Sequence, residues 1–264
     1  MINSLVKAHR IMQSFSVQRP RLSLADLARD TGYPRTTIYS LAATLVELGF
    51  LEKHGELYAV GPELIRLEPT ARVNVEIRDR AAPVLRGLAE KLGGSVYLTV
   101  PDGDGVLYIY AIESTHRPRA RSAIGGRAAF HCTAVGKAML AFMRESQVDA
   151  ILASAGLPES TANTITDRAR LADELATTRQ RGYSIDNEEN ESGLFCIGAP
   201  IFDASATIVA ACSVSDTDPS IVTSRLERSS STILAAAEQI SRHMGFVPDR
   251  TGPFFTTVPD PGAP

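Results

Sequence analysis

The sequence predicts an α+β chain: an amino-terminal winged helix-turn-helix, a linker helix, and a carboxyl-terminal α/β domain with a mostly antiparallel sheet. Three observations carry this. The first fifty residues hold three segments with apolar side chains at helical spacing, the last two parted by a tight Gly-bearing turn. A short alternating hairpin follows them. Beyond residue 93, alternating β-branched and aromatic runs are joined by Gly- and Asp-rich turns and interleaved with helical stretches, as in α+β domains.

The first helix is expected over residues 4–15, where Leu5, Ala8, Ile11, Met12 and Phe15 recur at helical spacing. The stretch 18–21, with Pro20, breaks it. Ser23 suits the N-cap of a short second helix over 24–30, and Gly32 suits the left-handed conformation that ends one. Pro34 is expected in the first turn of the third helix, where its missing N–H does no harm. That helix sets Ile38, Leu41, Leu45 and Leu48 on one face, and Gly49 closes it. Residues 50–53 and 56–60 then alternate around His54-Gly55 as a hairpin, or wing.

In a helix-turn-helix the second helix enters the DNA major groove, and its first turns reach base edges. Those positions hold Arg35, Thr36, Thr37, Tyr39 and Ser40. An Arg pairs with guanine or phosphate, and a Thr donates, accepts or touches a thymine methyl. Lys53 and His54 at the wing tip are placed to reach the backbone or minor groove. With Ser23 they complete the candidate DNA-binding set. The alternative is a module that mediates only protein contacts; against it, the polar, β-branched start of the third helix is costly in helix propensity.

The 264 residues suit two domains. The expected division is 1–68 for the winged helix-turn-helix, 69–80 for the linker helix, 81–246 for the second domain and 247–264 for a loose, Pro/Gly-rich tail. With 44% apolar and 22% charged residues, composition excludes a largely disordered chain or a coiled-coil rod. No apolar stretch approaches the ~18 residues of a membrane span, and no secretory signal is visible. Three widely spaced cysteines cannot form a disulfide framework, which makes a reducing cytoplasm the expected setting. The net charge of −3 hides an asymmetry. Residues 1–50 carry six Lys or Arg against three Asp or Glu, +3, leaving −6 for the rest. A basic amino-terminal module suggests contact with a polyanion.

Residues 61–92 read as helical and charged, interrupted at Pro69 and stopped by Gly93-Gly94. Strands are expected over 95–100 and 106–112, across the turn 102–105, and over 194–202 and 207–214, across the turn 203–206. Residues 134–143, 171–181 and 220–243 read as helices. Helices on one face of the sheet would leave its other face and loops to build a cleft.

Three constellations in this domain carry polar chemistry. His131-Cys132, with Lys137 nearby, admits a nucleophile, but no separate base is identifiable; a helix start at Ala134-Val135-Gly136 whose small residues let a ligand approach free N–H groups fits better. The acidic run 186–191, with Asp186 and Glu189, is either a solvated loop or a site for acid–base or metal chemistry. Ser213 and Ser215, one face of a strand that includes Cys212, fit a pocket wall or an exposed sheet face. The five histidines show no zinc-site spacing, and no phosphate-binding or nucleophile-elbow motif occurs, so neither metal nor cofactor is expected.

The segments SLADLARDTGYPRTTIYSLAATLVELGFLEK, HCTAVGKAMLA, RGYSIDNEENESGLFCIGAPIFD and ACSVS make the chain similar to IclR-type transcriptional regulators over residues 4–246. The resemblance implies a cytoplasmic regulator that is not an enzyme, binds double-stranded operator DNA as a homodimer or homotetramer, and has no membrane association. It implies that the second domain is an effector-binding domain for a small metabolite, commonly a carboxylate or aromatic acid. Carried onto matching positions, the effector residues are Ala134, Val135, Asp186, Glu189, Leu194, Cys196, Ser213 and Ser215. Ser40 stands where many relatives carry Arg, and Ala134-Val135 where a smaller Gly-Ala pair is common, which narrows that end of the pocket. Arg117, Arg119, Arg121 and Arg127 crowd the upstream segment, facing either an anionic effector or solvent. The rival reading is a metabolite-binding enzyme tethered to a winged helix.

Overall fold

A computed structural model describes residues 2–16, 18–67, 72–114 and 124–247, with the side chains of 72–75 left out. Pro69, Arg117, Arg119, Arg121 and all but the first residue of the 247–264 tail lie outside the described residues. Two compact units emerge, Met1–Val75 and Glu76–Pro264.

The first unit contains α1 (Asn3–Gln13), β1 (Arg21–Ser23), α2 (Leu24–Thr31), α3 (Arg35–Glu47), β2 (Leu51–His54), β3 (Leu57–Val60) and α4 (Glu63–Leu67). Its core is Ile11, Leu22, Leu27, Ile38, Ala42, Leu45, Leu51 and Tyr58, three residues from α3 and one from each of the other elements except α4. Each such aliphatic side chain stabilises the unit by roughly 1.5–3 kcal/mol on burial. Gly32 takes φ 71° after α2, as its position requires. Three details differ from expectation. Pro34 is the N-cap of α3 rather than a residue of its first turn. Leu48 is exposed, because α3 buries Ile38, Ala42 and Leu45 instead. The break at 18–21 leads into β1, which makes the wing a three-stranded antiparallel sheet in the order β1-β3-β2. Leu22, buried opposite Tyr58, is what that third strand adds to the core.

The second unit carries a six-stranded sheet in the order β6-β5-β4-β9-β8-β7, every neighbouring pair antiparallel. Its strands are β4 (Ser95–Asp102), β5 (Gly105–Ile112), β6 (Arg127–Ala129), β7 (Ser184–Asn187), β8 (Phe195–Phe202) and β9 (Ile208–Asp216). The helices are α5 (Arg72–Leu92), α6 (Ala134–Leu140), α7 (Glu145–Ala155), α8 (Arg168–Arg181) and α9 (Leu226–His243).

Strand alternation decides which helix covers which face. Val96, Leu98, Ile197, Cys212 and Val214 face α5 (Ala81, Leu85, Leu88) and α9 (Ile233, Ala237, Ile240). Tyr97, Tyr108, Phe202 and Ala211 face the other way, onto Phe130, Phe142 and α6 (Val135, Ala138, Met139). Helices therefore lie on both faces, not on one as expected. The apolar stretch 134–143 signals burial but says nothing of which face it buries.

Other boundaries also moved. α5 is one helix running through the expected division at 80/81, with Pro83 inside it. α7 and β6 were not expected, and α6 stops at Leu140. The closing helix is a 3₁₀ turn, Pro219–Val222, followed by α9. Part of the acidic segment read as a loop is edge strand β7, which pairs Asp186 with Cys196. Among the described residues no helix is long and apolar enough to cross a membrane.

Candidate functional site

On α3, burial of Ile38, Ala42 and Leu45 turns the opposite face of its first turns outward. Arg35, Thr36, Tyr39 and Ser40 are exposed and Thr37 is half-buried. Among the described residues Arg35 has no ion pair, so its guanidinium is free to meet a polyanion. At the wing, the Lys53 ammonium sits 5.8 Å from the centre of the Tyr58 ring and His54 Nε2 lies 3.1 Å from Glu52 Oε2, both exposed. Ser23 stands apart from this set. Its hydroxyl donates to Asp26 Oδ2 (2.7 Å) and accepts from Asp26 N (3.2 Å), while Asp26 Oδ2 also accepts from Ser23 N, closing a capping box. Those bonds hold the Asp26 carboxyl down at about 2. Ser23 is thus engaged inside the protein, where a DNA contact was expected.

In the second unit, two glycines let α6 pack closely, Gly198 against the sheet and Gly136 against the turn that leads into the helix. A Cβ on Gly198 of β8 would fall 2.7 Å from the Ala134 carbonyl, and one on Gly136 would fall 2.2 Å from the Phe130 carbonyl oxygen. Thr133 caps the helix by accepting from Gly136 N at 3.1 Å. Between this first turn and strands β4, β5, β8 and β9 lies a cavity. It is lined by Ala134, Val135, Asp186, Leu194, Cys196, Ser213 and Ser215, together with Tyr97, Tyr108, Thr133 and Asn190. Seven of the eight expected effector residues thus share one space. It offers 20 Å³ to the centre of a water molecule, room for about one water.

The walls are polar but tightly held. Ser213 and Ser215 are buried, which removes the exposed-face alternative. The Ser215 hydroxyl donates to Cys196 Sγ at 3.0 Å across the β8–β9 pair. Asp186 Oδ1 accepts from the N–H groups of Glu189 (2.8 Å) and Asn190 (3.3 Å). Burial pushes the Asp186 carboxyl up to about 7, with Glu189 adding to the rise and the two N–H groups opposing it. Tyr97 and Tyr108 meet edge-to-face, 5.6 Å between ring centres, as an aromatic wall.

Glu189 does not line the cavity, contrary to expectation. It pairs with Lys137, whose side chain is 1% exposed and which also lies 3.6 Å from Glu174 Oε1. Arg181 holds that same Glu174 oxygen at 2.8 Å. Burial raises the Glu189 carboxyl and the Lys137 ammonium pulls it back. A Lys amid the apolar run Ala134–Leu140 requires a buried counter-charge; that signal was in the sequence and would have joined two constellations that were read separately. Tyr97, Tyr108, Thr133 and Asn190 were missed because each becomes polar lining only once strand faces and loop paths are fixed.

The remaining candidates resolve plainly. Burial pushes the Cys132 thiol up to about 11, so it holds almost no thiolate at neutral pH. His131 Nε2 is 3.1 Å from the Pro158 carbonyl, and burial lowers its pKa. Arg127 pairs with Asp102 (2.7 Å) and Asp104 (3.1 Å) in solvent, the outward alternative. Glu188 takes φ 59° and accepts from Gly193 N, so this carboxylate shapes its own loop. Among the described residues no group of His, Cys, Asp and Glu is placed to hold a metal.

Comparison with known proteins adds the context. Residues 4–55 match the family described as "IclR helix-turn-helix domain", and residues 70–242 match "Bacterial transcriptional regulator IclR C-terminal". The Escherichia coli HTH-type transcriptional regulator KdgR is 31% identical over 247 residues, covering 93% of this chain and 94% of that protein. The crystal structure of Thermotoga maritima IclR superposes with a TM-score of 0.77 at 32% identity, covering 93% of this chain and all of that one. An IclR homologue from Microbacterium hydrocarbonoxydans, complexed with 4-hydroxybenzoate, shares the fold with a TM-score of 0.82 at 21% identity, over 91% and 98% of the two chains.

Proposed function

Because the chain belongs to the IclR family of bacterial transcriptional regulators, a family of ligand-responsive DNA-binding proteins and not enzymes, we propose how its two units divide that work. The first unit reads operator DNA in the cytoplasm through Arg35, Thr36, Thr37, Tyr39 and Ser40, with Lys53 and His54 on the phosphate backbone. The second senses a small organic acid, an aromatic one included, at the cavity of Ala134, Val135, Asp186, Leu194, Cys196, Ser213 and Ser215. The observation that carries this is the gathering of buried hydroxyls, a thiol and a carboxyl beside two tyrosine rings in one enclosed space. Hydrogen-bonding groups and an aromatic wall suit a flat, polar-ended molecule.

The cavity's small volume bears on the mechanism. A metabolite enters only if the walls move apart, so it binds the widened arrangement in preference to the closed one. Such differential affinity is what couples a ligand to a distant equilibrium, typically by ~1–3 kcal/mol. The first unit leaves Leu5, Leu48, Leu64, Ile65 and Leu67 exposed, apolar side chains that a second copy of the chain would cover. This supports a homodimer or homotetramer whose recognition helices span half-sites ~34 Å apart or a multiple of it.

Gel-shift with the intergenic DNA beside the gene, with and without organic acids that raise the melting temperature, tests the assignment. Arg35→Ala is expected to weaken operator binding at least tenfold with the melting temperature within about 1 °C; unchanged binding refutes the recognition-helix assignment. Ser213→Leu with Ser215→Leu is expected to abolish the ligand response and leave DNA binding intact. A retained response moves the pocket elsewhere.

A further inference from the structure

Among the described residues lining the cavity there is no Lys, Arg or His. The cation beside it, Lys137, is taken up by Glu189 and Glu174. The ionisable carboxyl on the wall is Asp186, which is 2% exposed. An anion entering this space would face that carboxyl at close range, and two carboxylates sharing a buried site do not both stay ionised.

We infer that Asp186 meets the effector as a neutral carboxylic acid, taking up a proton as the anion enters and donating its hydrogen bond to the anionic group, so that effector binding is linked to proton uptake. The inference rests on the organic-acid reading above and deepens it: Asp186 becomes the residue that decides whether the cavity accepts an anion.

Asp186 Oδ1 accepts from the N–H groups of Glu189 and Asn190, which favour the ionised form and leave Oδ2 as the oxygen that takes the proton. The ionisable groups around it come from every side: Tyr97 on β4, Tyr108 on β5, Cys196 on β8, Cys132 and Lys137 at α6, and Glu189 beyond β7. Of these, Lys137 favours the ionised form and Glu189 opposes it, and Lys137 is itself neutralised by its own partners. Burial then decides, lifting the carboxyl to about 7. Unfolded, Asp186 would release its proton near pH 4. Stability from this group is therefore complete in acid and lost as pH rises through about 7. Effector affinity follows the same direction.

The test uses the full chain and benzoate, 4-hydroxybenzoate and 4-hydroxybenzamide as probes. Calorimetry at pH 8 in two buffers of different ionisation enthalpy counts the protons taken up. The two acids are expected to bind with uptake approaching one proton, their affinity falling toward tenfold per pH unit above pH 7. The uncharged amide is expected to bind with no uptake. Asp186→Asn, which keeps a donor but cannot ionise, is expected to remove both the uptake and the pH dependence. Acid binding at pH 8 without uptake, or uptake retained in Asp186→Asn, overturns the inference. If none of the probes binds, the aromatic-acid reading fails separately. The inference is then decided on the free protein by the infrared carbonyl band of a protonated carboxyl at pH 6.5. A band that disappears by pH 9 and is missing from Asp186→Asn supports it, and absence of the band from the unmodified protein overturns it.

Discussion

Replacing Lys137 with Met tests how the second unit holds its acidic loop. The lysine lies on α6, 1% exposed, with Glu189 at 9% and Glu174 at 24% as its partners. Met fills nearly the same volume, so the loss is electrostatic rather than a cavity. Glu189, whose Oε2 is already buried with no hydrogen-bond partner among the described residues, would be left as an uncompensated buried acid. Breaking such a pair from one side costs about 3–5 kcal/mol. At roughly 2–4 °C per kcal/mol for a domain of this size, the melting temperature should fall by about 6–20 °C at pH 7.5. Replacing both partners, Lys137→Met with Glu189→Met, removes the stranded charge and is expected to recover most of that loss. Thermal unfolding by circular dichroism of the four proteins closes a double-mutant cycle. A single-variant loss under about 3 °C, or a double variant no more stable than Lys137→Met, refutes the view that this pair anchors the loop after β7 that bears Asn190.

Two further outcomes follow from local geometry. Ser23→Ala opens the capping box of α2 and is expected to destabilise the first unit by about 1 kcal/mol, measured by denaturant titration, while operator affinity in gel-shift at low temperature stays within twofold. A loss of DNA binding without loss of stability would return Ser23 to the DNA-contacting set. Gly136→Ala places a methyl 2.2 Å from the Phe130 carbonyl oxygen and must displace α6; a cost of about 1–3 kcal/mol is expected, with a weakened ligand-induced thermal shift. A fully stable Gly136→Ala protein would show that α6 does not need this close approach.

Much of the fold was legible because it rests on local signals. Helix spacing in 4–15 and 35–47, the Ser23 cap and Gly32 stop, and alternation along β4, β5, β8 and β9 are all short-range patterns, and they gave the winged module and the antiparallel sheet. What they missed was short or dependent on distant partners. β1 has three residues, too few to show a period, and β7 is a four-residue edge strand, Ser-Ile-Asp-Asn, that runs into an acidic segment resembling a loop. The linker was expected to end at 80, yet α5 continues to Leu92 because Ala81, Leu85 and Leu88 pack on the sheet and Pro83 is tolerated within it.

The sequence by itself determined the family and the two-part plan, since motif spacing and strand parity are properties of one chain read in order. Only the tertiary structure decided where those residues point. α6 lies on the sheet face opposite α5 and α9, within reach of β8 because Gly198 carries no side chain, and that contact brings Ala134 beside Cys196, Ser213 and Ser215. It gave Asp186 and Glu189 different surroundings as well. Three positions apart, they looked like one acidic pair; folded, Asp186 lines the cavity and Glu189 pairs with Lys137, fifty-two residues away. Which carboxylate faces the cavity and which meets a lysine depends on how the strand and loop pack, and neither environment exists until the chain has folded.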